Sequence, residues 1–381
     1  MKLTVYRAVV LVNYFLLRIQ LMAEPKENSK VSSPFNEGGA VNVLMTGAGA
    51  PGAAGILKCL QLNPDIKVTA ADANPNAIGR WLIGQFEKIP FAQEKNFIEQ
   101  LLSICERNII HVVLPLVTKE LVPLAQNKKK FEEQETKVLV SKVDALEIAN
   151  NKSRLYQFLE WRGIDVPKYK VVENIDQFKW AVEELIASQK RVCFKPSVSN
   201  GSRGFRIIAS DMDEHDLLFH EKPNSTYISF GDAMRILSSK TFPELLVTEY
   251  LPGEEYSVDC LANHGEVKLV VPRLRSKMIN GISVEGEFVN DKNIIAYCSE
   301  IIKELDLHGN IGIQVKRSSE GRSLIIEINP RVQGTIVAGL GAGINLPVLA
   351  IKQELGLPIS DEELQVKWGT KFSRYWSEVY Y

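Results

Sequence analysis

The run VNVLMT is followed at once by GAGAPG and then by AAGILKCLQL. Val41 to Thr46 carries no charge, which suits a strand covered on both faces, as in a parallel sheet. Gly47, Gly49 and Gly52 let the backbone turn sharply behind it. Pro51 stands where its missing N–H costs a following helix nothing, and a helix is predicted over Ala53–Leu62. Strand, glycine turn and helix in this order commit the first part of the chain to a βα layer. A second strand, IKVTAAD, ends at Asp72. An acid about 20 residues past such glycines can meet a ribose 2′-OH. Two readings are open here. One is an NAD(P)-dependent Rossmann oxidoreductase using Gly47, Gly49, Gly52 and Asp72. In the other, the glycines only bend the turn and let the helix pack closely.

The 381 residues allow two or three domains with cores of their own. With 45% hydrophobic and 24% charged residues the chain reads as an ordinary soluble globular protein, and a net charge of −1 gives no basic field for nucleic acid. Cys59, Cys105, Cys193, Cys260 and Cys298 are scattered without a C-x-x-C, so no disulfide framework and a reducing compartment are expected. The five histidines show no zinc spacing. MKLTVYR and Ala8–Leu17 resemble a signal peptide's basic and apolar regions, too short to span a bilayer. Residues 1–40 are read as a flexible tail with Met22 as a possible initiator, and the chain as cytoplasmic, with no membrane partner.

Residues 41–141 alternate strands (VNVLMT, IKVTAAD, FEKIP, IIHVVLP, TKVLVS) with helices over Ala53–Leu62, Glu94–Arg107 and Thr118–Lys130, a Rossmann-like unit in which Lys128–Lys130 form a solvated helix end. Residues 142–244 read as a second unit containing the strand RVCFKPS, the loop SVSNGSRG and a helix near Phe230–Leu237. From Leu245 to Tyr381 the signals are antiparallel: LLVTEY, YSVDCLA, EVKLVVPRLR, then a hairpin of NIGIQVKRS and SLIIEINP across Ser319–Gly321, and a last strand KFSRYW. The fold class is therefore mixed, α/β followed by α+β.

The hairpin carries the chemistry. Residues two apart on a strand share a face, so Glu327 and Asn329 stand together with Arg331 beyond, while Ile326 and Ile328 turn to a core. Gln314 lies on the other strand. These are hard oxygen donors that suit Mg²⁺ with waters and phosphates. Lys195 closes a strand just before the Ser/Gly loop, where backbone amides can approach phosphates. In LLVTEYLPGEEYSVDC, Glu249 and the backbone near Leu251 can meet an adenine edge, and Glu255 can accept ribose hydroxyls. Arg273 and Arg275, two apart, can share a face and grip a substrate carboxylate.

Taken in order, Lys152 in NNKSRLYQFLEWRGIDVP, Lys195-Pro196 with its Ser/Gly loop, Glu249-x-Leu251-x-Gly253-x-Glu255, Gln314 and Glu327-x-Asn329-Pro330-Arg331 resemble the ATP-grasp superfamily, in its carbamoyl-phosphate synthase large-subunit branch. The resemblance covers roughly residues 41–381. It implies a Rossmann-like preATP-grasp domain followed by a two-lobed ATP-grasp domain. It implies ATP held by Lys152, Lys195, Ser199, Gly201, Ser202, Gly204, Glu249, Leu251 and Glu255, and two Mg²⁺ (or Mn²⁺) ions on Gln314, Glu327 and Asn329. Lys195 and Arg331 would stabilise phosphoryl transfer, and Gly49, Arg273, Arg275 and Arg331 would face the acceptor. The implied activity is an ADP-forming ligase joining a small-molecule carboxylate to an amine, in a possible homodimer. The glycine turn would then line the substrate side and bind no NAD. The chain departs from that branch in having one ATP-grasp unit, so successive bicarbonate and carbamate phosphorylation is not expected. Lys152 and Lys195 also stand where arginines are usual there. A non-catalytic ATP-binding protein is the remaining alternative.

Overall fold

A computed structural model describes residues 39–187, 191–199, 201, 203–209, 213, 215, 219, 226–279 and 281–381. The signal-like start lies outside them. No helix among the described residues is long and apolar enough to cross a membrane.

The first sheet is parallel. It contains β1 (Val41–Thr46), β2 (Ile66–Asp72), β3 (Phe86–Lys88), β4 (Val112–Pro115) and β5 (Lys137–Val138), in the order β3-β2-β1-β4-β5. Leu44 and Val113 meet Phe97, Leu101 and Phe131 in its core. Strand order reverses between β1 and β4, which opens a crevice at their carboxyl ends. The helix expected over Thr118–Lys130 is broken in two, Thr118–Gln126 and Lys128–Glu132. Asn127 makes the break, its Nδ2 donating to the Pro123 carbonyl at 2.9 Å. Lys128–Lys130 therefore start a helix, and Lys128 reaches Glu354 at 3.3 Å.

The second sheet contains β6 (Tyr169–Val172), β7 (Arg191–Pro196), β8 (Arg206–Ala209), β9 (Tyr227–Ile228) and β10 (Leu245–Glu249), in the order β6-β10-β7-β8-β9. This moves the expected boundary at 244/245. Leu245–Glu249 was assigned to the last unit, yet it runs between β6 and β7, and all five of its residues are buried as an inner strand requires.

The third sheet contains β11 (Glu255–Asn263), β12 (Glu266–Ile279), β13 (Ile282–Phe288), β14 (Gly309–Arg317), β15 (Ser323–Asn329) and β16 (Lys371–Ser373), in the order β15-β14-β11-β12-β13-β16. The last strand is shorter than KFSRYW, and β13 was not foreseen. The helix Lys152–Trp161 also changes unit. Its stripe Leu155, Tyr156 and Leu159 packs on Ile311, Ile313, Ile325 and Ile328 of this sheet. Each large side chain fully buried there contributes about 1.5–3 kcal/mol. The Tyr156 hydroxyl, also buried, donates to the Ile325 carbonyl at 2.7 Å. Asn151 starts the helix by accepting the Arg154 N–H at 3.1 Å.

The glycine turn is a docking surface. A Cβ on Gly52 would lie 2.2 Å from the Gly334 Cα, and one on Gly55 2.8 Å from Val337. Asn345 Nδ2 donates to the Cys59 carbonyl at 2.8 Å and ties the same helix to the last unit.

Candidate active site

A cleft of about 790 Å³ lies where the three units meet. The β14–β15 hairpin supplies its floor. Gln314 stands directly opposite Glu327, and Ser257 flanks Gln314 on β11. Register slips by one residue just beyond, with Gln314 opposite Glu327 but Val315 opposite Ile325. The extra residue is Ile326. This β-bulge corrects the expected alternation: Ile325 fills the core, and Ile326 joins Glu327 on the cleft wall.

Asn329 Nδ2 donates to Glu327 Oε1 at 3.2 Å, and Arg331 Nη2 donates to Asn329 Oδ1 at 3.3 Å. Arg331 also holds Thr118 Oγ1 at 3.1 Å and the Val332 carbonyl at 2.8 Å, which joins the first domain to the hairpin end. Lys152, at the first turn of its helix, lies 3.5 Å from Glu327 and donates to the Ser199 carbonyl at 2.8 Å. Lys195 Nζ donates to the carbonyl of the bulged Ile326 at 3.0 Å. Burial, followed by the charge of Lys152, lowers its pKa to about 8 against the opposing field of Glu327.

Gln314, Glu327 and Asn329 bring three hard oxygens together, but only one is charged. Among the described residues no cluster of three or more His, Cys, Asp and Glu side chains exists. With two ammonium groups beside Glu327, the set fits a divalent ion that arrives already coordinated by phosphate oxygens and does not fit a tightly held resident ion.

Lys152, Lys195, Ser199, Gly201, Glu249, Leu251, Glu255, Arg275, Gln314, Glu327, Asn329 and Arg331 all line the cleft. Ser202 lies outside the described residues. Gly204 is off the lining; its φ of +78° and the 2.6 Å from its Cβ position to Pro196 show a backbone need. Glu249 is buried, with Oε1 accepting the Lys168 N–H at 2.8 Å, so this oxygen already holds the cleft wall. Glu255 is bonded to Arg275 and lies 3.8 Å from Lys316.

Two acceptor-side expectations are corrected. Arg273 is fully buried off the lining, donating to Asp259 Oδ2 at 3.0 Å and Thr335 Oγ1 at 2.7 Å. Register is unbroken from Arg273 to Arg275, so what separates them is depth: Arg273 is enclosed by Asp259 and Thr335, while Arg275 reaches the cleft lining paired with Glu255. Gly49 gives its N–H to Asp72 Oδ2 at 2.7 Å, and Asn74 N–H takes Asp72 Oδ1 at 2.8 Å. The acid a ribose would need is thus spent closing the glycine turn. Ala50, Pro51 and Gly52 reach the cleft instead. Sequence reasoning also missed Ile326, Lys316, Gln333 and Arg374 on the lining. Only Arg374 had a signal available, a cation in the last apolar strand segment.

Residues 241–373 match the family described as ATP-grasp in the biosynthetic pathway with Ter operon, and residues 43–139 match the PylC-like N-terminal domain. A carbamoyl phosphate synthase large chain of Clostridium botulinum (strain Alaska E43 / Type E3) is 28% identical over 291 residues, which cover 72% of this chain and 24% of that protein. The chain thus spans about a quarter of the length of the curated relatives it matches. Among solved structures, the ADP complex of purK, N5-carboxyaminoimidazole ribonucleotide synthetase, superposes with a TM-score of 0.63 at 18% identity, over 86% of this chain and 80% of that one. An L-amino acid ligase from Bacillus licheniformis gives 0.57 at 15% identity, over 86% and 78%.

Proposed function

We propose that this chain, an ATP-grasp domain preceded by a PylC-like domain, is an ADP-forming ligase. It would activate a small-molecule carboxylate as an acyl phosphate for attack by an amine. The observation that carries the reading is the convergence of Gln314, Glu327 and Asn329 with Lys152, Lys195 and Arg331 on one cleft. The purK and amino acid ligase likenesses support it. The Asp72 and Gly52 contacts speak against a dinucleotide at the glycine turn.

Catalysis of such a transfer is mainly positioning and electrostatics. Gln314, Glu327 and Asn329 would hold a Mg²⁺ ion that enters with the nucleotide, and the ion would supply charge neutralisation at the phosphates. Lys152 and Lys195 flank the phosphates from the side of Glu327. Arg331 orients the acceptor carboxylate, whose oxygen attacks the γ-phosphorus as the bond to ADP breaks. The amine then attacks the acyl carbon, phosphate leaves, and the amine proton goes to solvent. Ile326, Leu251 and Tyr250 give the base an apolar wall.

The first test is a thermal-shift comparison of Mg·ATP with NAD⁺ and NADP⁺. At about 100 times its Kd a ligand stabilises by about 2.7 kcal/mol, a shift of a few degrees. A shift is expected with Mg·ATP and not with Mg²⁺ alone. A shift with NAD⁺ or NADP⁺ only would sink the ligase reading.

Lys195 makes a pH prediction. As pH rises through about 8 its ammonium loses its proton, so Mg·ATP affinity falls several-fold between pH 8 and 9. Unliganded stability moves the other way. Between about 8 and the usual 10.5 the unfolded chain keeps this proton while the folded state does not, so this group's contribution rises with pH. Isothermal titration of Lys195→Arg, which stays charged, should give a flat affinity profile. An unchanged slope would remove Lys195 from the phosphates.

A further inference from the structure

One wall of the cleft carries more positive charge than its own carboxylates balance. Arg273 and Arg275 come from β12, and Arg374 follows β16 directly. Arg273 is paired with Asp259, and Arg275 with Glu255, which Lys316 also approaches. Arg374 has its backbone N–H on the Val284 carbonyl at 2.7 Å. Arg374 lines the cleft, and its guanidinium has no ion pair or hydrogen bond among the described residues.

Arg374 is half-buried. Burial and the neighbouring Arg273 both push its pKa down, and no carboxylate opposes them. Beneath it, Arg273 Nη1 is buried without a partner among the described residues. Arg273 reaches the cleft through Thr335, whose hydroxyl it holds. Three arginines and a lysine thus face two carboxylates, partly shielded from water, where like charges repel most strongly. Lys152, Lys195 and Arg331 have the nucleotide and the reacting carboxylate to answer them. Nothing in that chemistry answers Arg374.

We propose that the acceptor acid carries a second anionic group, a carboxylate or a phosphate, remote from the carboxylate that is activated, and that Arg374 binds it beside Ser283 and Thr335. The inference rests on the ligase reading and names its substrate class. Arg374 takes over the role that the sequence offered to Arg273.

The test is calorimetric. The full chain is first saturated with Mg²⁺ and the β,γ-imido analogue of ATP. It is then titrated with butyrate, with succinate, glutarate and adipate, and with 3-phosphonopropionate. At least one dianion is expected to bind tenfold or more tightly than butyrate. Whether a dicarboxylate or the phosphonate leads assigns the anion. Arg374→Gln should bring the ratio of dianion to butyrate affinity close to one, and Arg374→Lys should keep most of it. No dianion exceeding butyrate, or a ratio that survives Arg374→Gln, overturns the inference. Should Arg374→Gln fail to fold, the wild-type ratio and its retention in Arg374→Lys decide. Absence of nucleotide heat in the first step would instead overturn the ligase reading itself.

Discussion

Glu327→Ala is expected to lower ADP formation by about a hundredfold to a thousandfold, the range that removing one preorganised electrostatic group costs, while the melting temperature stays close to that of the parent. Glu327 is the one charged oxygen donor of its set. It also lies 3.5 Å from Lys152 and offsets the repulsion between Lys152 and Lys195. Its side chain stands on the cleft face, a quarter exposed, so its loss leaves no cavity in the core. Glu327→Gln keeps the shape and removes only the charge, and it should fall almost as far. ADP release measured over a panel of acids with hydroxylamine as a general nucleophile reads both variants. Turnover surviving in either would take Glu327 out of the reaction.

Gly52→Ala should destabilise the protein by about 1–3 kcal/mol or more and lower activity with it. The added methyl would sit 2.2 Å from the Gly334 Cα and 2.7 Å from its carbonyl oxygen. Both are backbone atoms, so no rotamer change relieves the clash. Relief requires the first domain to move away from the segment Arg331–Thr335, and Arg331 is bonded to Thr118 across that junction. Gly84→Ala, whose methyl meets nothing within 4 Å, is the control. Equal melting temperatures for the two variants would show that the junction is not built on Gly52.

Local pattern made much of this readable. Period-two spacing on one strand and a short turn suffice to bring Gln314, Glu327 and Asn329 together, and apolar runs between helices suffice for a parallel first sheet. What the sequence hid depends on partners far along the chain. Leu245–Glu249 opens an antiparallel stretch in sequence, yet inserts between β6 and β7, where Leu245, Leu246 and Val247 give it an apolar side chain on both faces. The Lys152–Trp161 stripe does not say which sheet it will cover. Arg273 resembles a surface arginine until Asp259 and Thr335, 14 and 62 residues away, enclose it. Asp72 has the spacing of a ribose ligand, and only its bonds to Gly49 and Asn74 reveal another use.

The bulge at Ile326 gives the last strand of the hairpin a parity. On one side of it the odd-numbered Ile325 is oil-facing; on the other, the odd-numbered Glu327 and Asn329 face water. Removing Ile326 would leave Ile325 and Glu327 as direct neighbours on opposite faces, so the isoleucine keeps the core and the carboxylate the cleft; what is lost is the bulge and the carbonyl that Lys195 holds at 3.0 Å. The two faces of this strand therefore do not depend on the bulge, and what the extra residue adds is local: one carbonyl turned to an ammonium and one apolar side chain on the cleft wall.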